Sequence, residues 1–92
     1  MPFVVKIKFE DDTRRITLDS IPKYEELVQL LRQLFPNAPN QFSVKYQDED
    51  EDMVTISSDM ELQEAVRVAS LGSNKVIRLF ITGNRILSLR QS

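Results

Sequence analysis

The chain has 92 residues, 41% of them hydrophobic and 28% charged, with 12 bases against 14 acids for a net charge of −2. That length is one domain with one modest core, since compact domains run to about 50–200 residues. It holds neither cysteine nor histidine. This excludes disulfides, thiolate metal sites, cysteine nucleophiles, the usual general base and the commonest metal ligand. No apolar run approaches the roughly 20 residues of a membrane span. The start Met1-Pro2-Phe3-Val4-Val5-Lys6 has too short an apolar stretch for a signal peptide. A soluble, cytoplasmic domain that is not an enzyme is the expectation, with no cofactor, no small-molecule substrate and no membrane contact.

In chain order, Val5, Ile7 and Phe9 alternate with Lys6 and Lys8, which predicts a half-buried strand over Phe3–Phe9. Glu10 to Thr13 reads as a polar turn, and a strand returns over Arg14–Leu18 with Ile16 and Leu18 inward. Asp19-Ser20 with Pro22 reads as a helix start. Tyr24, Leu27, Val28, Leu31 and Leu34 recur at three- and four-residue steps, which predicts an amphipathic helix through Phe35 that ends at Pro36 and Pro39. Phe42–Tyr46 and Met53–Ile56 read as strands joined by an acidic run. Ser58 or Asp59 caps a second helix, with Glu61 placed for a capping box and Gly72 as its stop. Val76–Ile81 is nearly all apolar, which predicts a central strand buried on both faces. Residues 1–83 form the domain, and 84–92 a short basic tail. The order ββαββαβ is that of an α+β, ubiquitin-like β-grasp: a mixed sheet with one main helix packed across it.

Charge is segregated along the chain. Residues 1–46 carry a net +1, residues 47–66 carry eight acids and no base, and residues 67–92 carry five bases and no acid. Such segregation predicts a dipolar surface. For Asp48-Glu49-Asp50-Glu51-Asp52 the readings differ in chemistry. A calcium loop finds Asp48, Asp50 and Asp52 at its first, third and fifth positions and Asp59 at its twelfth, but it has Met53 where a glycine must turn and lacks the final bidentate glutamate. A carboxylate-pair hydrolase requires one buried, raised-pKa acid, which five adjacent acids between strands do not supply. A docking surface for a basic partner needs only several carboxylates displayed together.

The run from Tyr46 to Leu62, with its aromatic, spaced acids, Val54-x-Ile56 and Ser58-Asp59-x-Glu61-Leu62, resembles the acidic OPCA motif of the Phox-and-Bem homology (PB1) domain, and the likeness extends from about Phe3 to Ile81. The resemblance implies a β-grasp that binds its own kind through an acidic face on Asp48, Asp50, Asp52, Asp59 and Glu61. It also implies a basic face on Lys6, Arg14 and Arg15. Carrying both makes the chain similar to the mixed-type domains of selective-autophagy receptor scaffolds. The implied partners are itself, head to tail, or other PB1 domains, giving homo-oligomers, filaments or heterodimers. The family commonly has glycine where Glu51 stands. Arg14 and Arg15 point to opposite faces of a strand, and both stay in the set. A ubiquitin-like modifier shares the fold but needs a terminal Gly-Gly, whereas this chain ends Leu89-Arg90-Gln91-Ser92. Nucleic-acid binding is disfavoured by the acidic block, which repels phosphate.

Overall fold

A computed structural model describes residues 2–71 and 76–83. The expected helix stop at Gly72 and the basic tail 84–92 lie outside the described residues. Seven elements follow in the order β1 (Phe3–Phe9), β2 (Asp12–Leu18), α1 (Tyr24–Leu34), β3 (Phe42–Gln47), β4 (Met53–Ile56), α2 (Asp59–Leu71) and β5 (Val76–Gly83). The five strands form one mixed sheet in the order β2-β1-β5-β3-β4, with β1 and β5 parallel and the other pairs antiparallel.

Alternation decides which side of the sheet the helices cover. Val5, Ile7 and Phe9 of β1, Val44 and Tyr46 of β3, Ile56 of β4 and Ile77, Leu79 and Ile81 of β5 are all buried. They join Leu27, Leu31 and Phe35 from α1 and its end, and Leu62 and Ala65 from α2, in one hydrophobic cluster. Period two in the strands meets steps of three and four in the helices, so each element turns one apolar face inward.

Several expectations are corrected. The first hairpin turns on two residues, Glu10 and Asp11, because β2 already pairs with β1 at Phe9–Asp12. Neither Asp19 nor Ser20 caps α1. Its N-cap is Lys23, whose N–H donates to the Glu26 carboxylate at 3.0 Å, while the Tyr24 N–H donates to Asp59 at the start of α2. A carboxylate distant in sequence does the work expected of a local cap, and it ties the two helix starts together. Finally, β5 is central but is not buried on both faces. Its residues alternate, and Arg78 is exposed on the side away from the helices. Among the described residues, no helix is long and apolar enough to cross a membrane.

Leu31 has no exposed surface and sits where α1 meets the sheet. Leu31→Ala is expected to lower stability by about 2–5 kcal/mol, the range for a buried leucine that leaves a cavity, read as a drop in the urea midpoint. A loss within a few tenths of a kcal/mol would show that α1 does not depend on this contact.

Candidate functional site

The sheet order places the two predicted charge clusters on different flanks. Lys6 lies on β1, and β5 and β3 stand between that strand and β4, whose connection to β3 is the acidic loop. Among the described residues only two ion pairs form, Arg14–Asp12 and Arg67–Glu64. Lys6 therefore does not neutralise the Asp48–Asp52 stretch within one molecule.

On the basic flank the register separates Arg14 from Arg15. Lys6 pairs across the strands with Arg15, whereas Arg14 pairs with buried Ile7. Arg14 is thus on the helix side, where its guanidinium meets Asp12 at 3.1 Å and lies 5.5 Å from the centre of the Phe35 ring. It caps the edge of the core, over a Phe9–Phe35 edge-to-face pair. Arg15 stands with Lys6 on the open face. On its other side Lys6 pairs with Arg78 of β5, while Lys8 and Lys45 flank Phe80 one row away. Every charge that the described strands put on this outer face is positive. Sequence reasoning missed Arg78 and Lys45. The signal was available: the same alternation that turns Ile77 and Leu79 inward turns Arg78 outward.

The acidic flank is built by its own first residue. The Asp48 carboxylate accepts the N–H groups of Asp50 and Asp52, both at 2.9 Å, and the Asp48 N–H donates to the Asp52 carbonyl at 3.0 Å. The Glu51 N–H donates to the Asp48 carbonyl, closing a turn, and Gln47 reaches the Glu51 carbonyl at 3.3 Å. Glu51 itself is held at φ 67, the left-handed region where a side chain costs about 1–2 kcal/mol. This is the position at which the resembled family commonly has glycine. Asp48, Asp50 and Asp52 bring carboxylate oxygens within 4.8 Å of one another, a spacing that admits a cation. The calcium-loop spacing set aside from the sequence has strands for flanks, β3 and β4, with Met53 already in β4 and Asp59 at the start of α2.

Asp59 and Glu61 also serve the fold. Glu61 accepts from the Ser57 N–H at 2.6 Å and the Ser57 hydroxyl at 2.8 Å, while its own N–H donates to the Ser58 hydroxyl at 3.3 Å. The hydrogen bonds from Ser57, the backbone N–H first, hold the Glu61 carboxyl below its ordinary value of 4.5. Burial, followed by the charge of Glu61, pushes the Tyr24 phenol up. The Tyr46 phenol is pushed up by burial and then by Glu64, Asp48 and Glu49, against a lowering by Arg67. One base enters the acidic flank. Arg67 binds Glu64 and is raised chiefly by that hydrogen bond, with Glu49 a smaller contributor. Between Asp59 and Glu61, Met60 is 79% exposed.

Two outcomes follow for the acidic flank. Glu51→Gly removes the left-handed strain and is expected to raise stability by about 1 kcal/mol; a lower urea midpoint would show that the loop is relaxed as it stands. Because the folded-state value of Glu61 is lowered, its contribution to stability is present above about pH 4.5 and is lost as the pH falls through the folded value. Glu61→Gln is therefore expected to lose less stability than the native chain between pH 7 and pH 3, measured by denaturant titration at each pH. Equal losses in both proteins would place the acid sensitivity elsewhere, with Glu64, which Arg67 also lowers, the next carboxylate to remove.

A family model for the PB1 domain matches residues 2–84. Comparison with curated proteins returns no match. Among solved structures, the AtNBR1-PB1 filament (L-type), determined by cryo-electron microscopy, is similar with a TM-score of 0.74 at 20% identity, covering 89% of this chain and 97% of that one. The AtNBR1-PB1 domain is similar with a TM-score of 0.74 at 17% identity over 90% and 98% of the two chains. The solution structure of the PB1 domain of Cdc24p (long form) is similar with a TM-score of 0.66 at 19% identity over 88% and 96%. At these identities the structural likeness establishes the β-grasp fold, and the family match, which spans most of the chain, establishes descent: the chain belongs to the PB1 domain family of protein-interaction modules.

Proposed function

We propose that this chain is a scaffold domain that associates head to tail, the basic face of one copy taking the acidic face of the next. The observation that carries the reading is the strand order, which sets clusters of opposite sign on different flanks of one sheet. The basic face is Lys6 with Arg15, and Arg14 is committed to Asp12 and Phe35. The acidic face is Asp48, Asp50, Asp52, Asp59 and Glu61. The chain works in this reading as a cytoplasmic binding module rather than an enzyme. Its partner is a second copy or another PB1 domain. A domain of the same fold, the AtNBR1-PB1 domain, forms a filament, which supports assembly of this kind.

The physical case rests on number and asymmetry. One exposed ion pair contributes about 0.2–1 kcal/mol, so a single lysine against a single aspartate holds nothing together. Several pairs formed at once support association, steer encounter and make it salt-sensitive. Because the two faces differ, a bound pair keeps one face of each sign unused, one on each copy. The assembly is then an open series unless the rotation per step closes a ring. A linear array multiplies weak sites carried elsewhere in a longer protein.

The test is solution mass by light scattering. The native chain is expected to give a size series that shrinks between about 50 mM and about 500 mM salt. Lys6→Ala with Arg15→Ala, and separately Asp50→Ala with Asp52→Ala, are expected to be monomeric; Asp48 is left intact because it holds the loop. Mixing the two variants restores a one-to-one dimer through their intact faces. Assembly of both variants as in the native chain would overturn charge pairing as the mechanism.

A further inference from the structure

We propose that Arg78 of β5 is the third cation of the basic face, completing a row Arg15–Lys6–Arg78 that receives the Asp48–Asp52 loop of a second copy. The row takes the place of the set Lys6, Arg14 and Arg15 that the resemblance implies. The inference rests on the head-to-tail reading and identifies the residues that carry it.

Register makes the row. Lys6 is the direct cross-strand partner of Arg15 on β2 and of Arg78 on β5, and strands lie about 4.8 Å apart, so three cations stand in line across about 10 Å of one face. Like charges directly opposite each other in a sheet are destabilising, and here the repulsion occurs on both sides of the same lysine. None of the three forms an ion pair among the described residues. The contrast with Arg14 is direct, since that guanidinium already holds a carboxylate and an aromatic ring.

Shape agrees with charge. A shallow depression of about 170 Å³ on the outer face is lined by Lys6, Lys8, Thr13, Arg78 and Phe80. Lys6 and Arg78 thus open onto one hollow, with Phe80 beside them. The occupant that fits is a compact group of carboxylates, and this chain carries one, because the oxygens of Asp48, Asp50 and Asp52 lie within 4.8 Å of one another. A guanidinium suits such an occupant better than an ammonium does, because its planar fork grips a carboxylate at two points.

The experiment uses the two complementary variants. Chain one carries Asp50→Ala and Asp52→Ala and offers only its basic face. Chain two carries Lys6→Ala and Arg15→Ala and offers only its acidic face. Their dissociation constant is measured by calorimetry, with circular dichroism melts to verify the fold of each variant. Arg78→Ala added to chain one is expected to weaken binding by about tenfold. Arg78→Lys is expected to weaken it less, and Arg14→Ala by less than about twofold. If Arg15→Ala in chain one weakens binding while Arg78→Ala does not, the row is wrong and the head-to-tail reading stands. If Arg14→Ala weakens it as much as Arg78→Ala, the replacement of Arg14 by Arg78 is wrong. If Arg15→Ala changes nothing either, or the two chains do not bind, the head-to-tail reading itself falls and the row falls with it. Arg78-dependent binding of a single-stranded oligonucleotide at physiological salt, with a dimer indifferent to Arg78, would assign the row to phosphate and overturn the proposal.

Discussion

The parallel pairing of β1 with β5 is the constraint from which the surface follows. It puts two apolar strands side by side at the middle of the sheet, with Val5, Ile7 and Phe9 next to Ile77, Leu79 and Ile81 over the helices. The same pairing forces the intervening residues onto the opposite side, so Lys6 meets Arg78 and Lys8 meets Phe80. A sheet covered by helices on one side cannot bury one alternate set without displaying the other. The core and the basic row are therefore one decision seen from two sides. Inserting β5 between β1 and β3 also keeps the acidic connection away from Lys6 and Arg15. Were β1 adjacent to β3, the charges would meet within one chain and leave nothing to offer.

The acids divide their labour. Asp48 spends its carboxylate on the loop's own N–H groups, Asp59 meets the Tyr24 N–H, and Glu61 meets Ser57. Each of these bonds satisfies a backbone donor at a turn or helix start, where an anion is favoured on local grounds alone. Asp50 and Asp52 hold no such post among the described residues. In the proposed assembly the first group shapes the surface and the second group meets the partner, so neutralising Asp48 disturbs the loop as well as its charge. Arg67 tempers the flank further by taking Glu64. The acidic face is thus less negative than its sequence block of eight acids.

The fold was legible because its signals are local. Alternation in Phe3–Phe9, three- and four-residue steps from Tyr24, and the Ser58–Glu61 capping spacing each lie within a dozen residues, and the observed elements fall close to those bounds. What could not be read depends on partners distant in the chain. The apolar run Val76–Ile81 mimics a strand buried on both faces, and only its register against β1 reveals Arg78 as outward and paired with Lys6. The choice between Arg14 and Arg15 awaited the same kind of fact, the pairing of Arg14 with Ile7. The start of α1 was misplaced because its capping carboxylate comes from Asp59, 35 residues away. Arg67 lies just outside the acidic block and meets Glu64 three residues away on α2, a local pair, whereas the smaller influence of Glu49 on it depends on the fold.

The two surfaces share an energetic character that bears on the proposed assembly. Each gathers like charges more closely than a fold alone requires: Lys6 between two arginines, and three aspartates within one small loop. In the isolated chain both clusters carry unrelieved repulsion, screened by solvent and salt but not abolished. In the proposed assembly each cluster's internal repulsion stays in place and is offset by the attractions between the clusters, since every charge of one then faces several of the other. Salt screens those attractions, so raising it favours dissociation. An interface of this kind forms readily, reverses readily, and depends on preserving two locally unfavourable arrangements that the hydrophobic core must support.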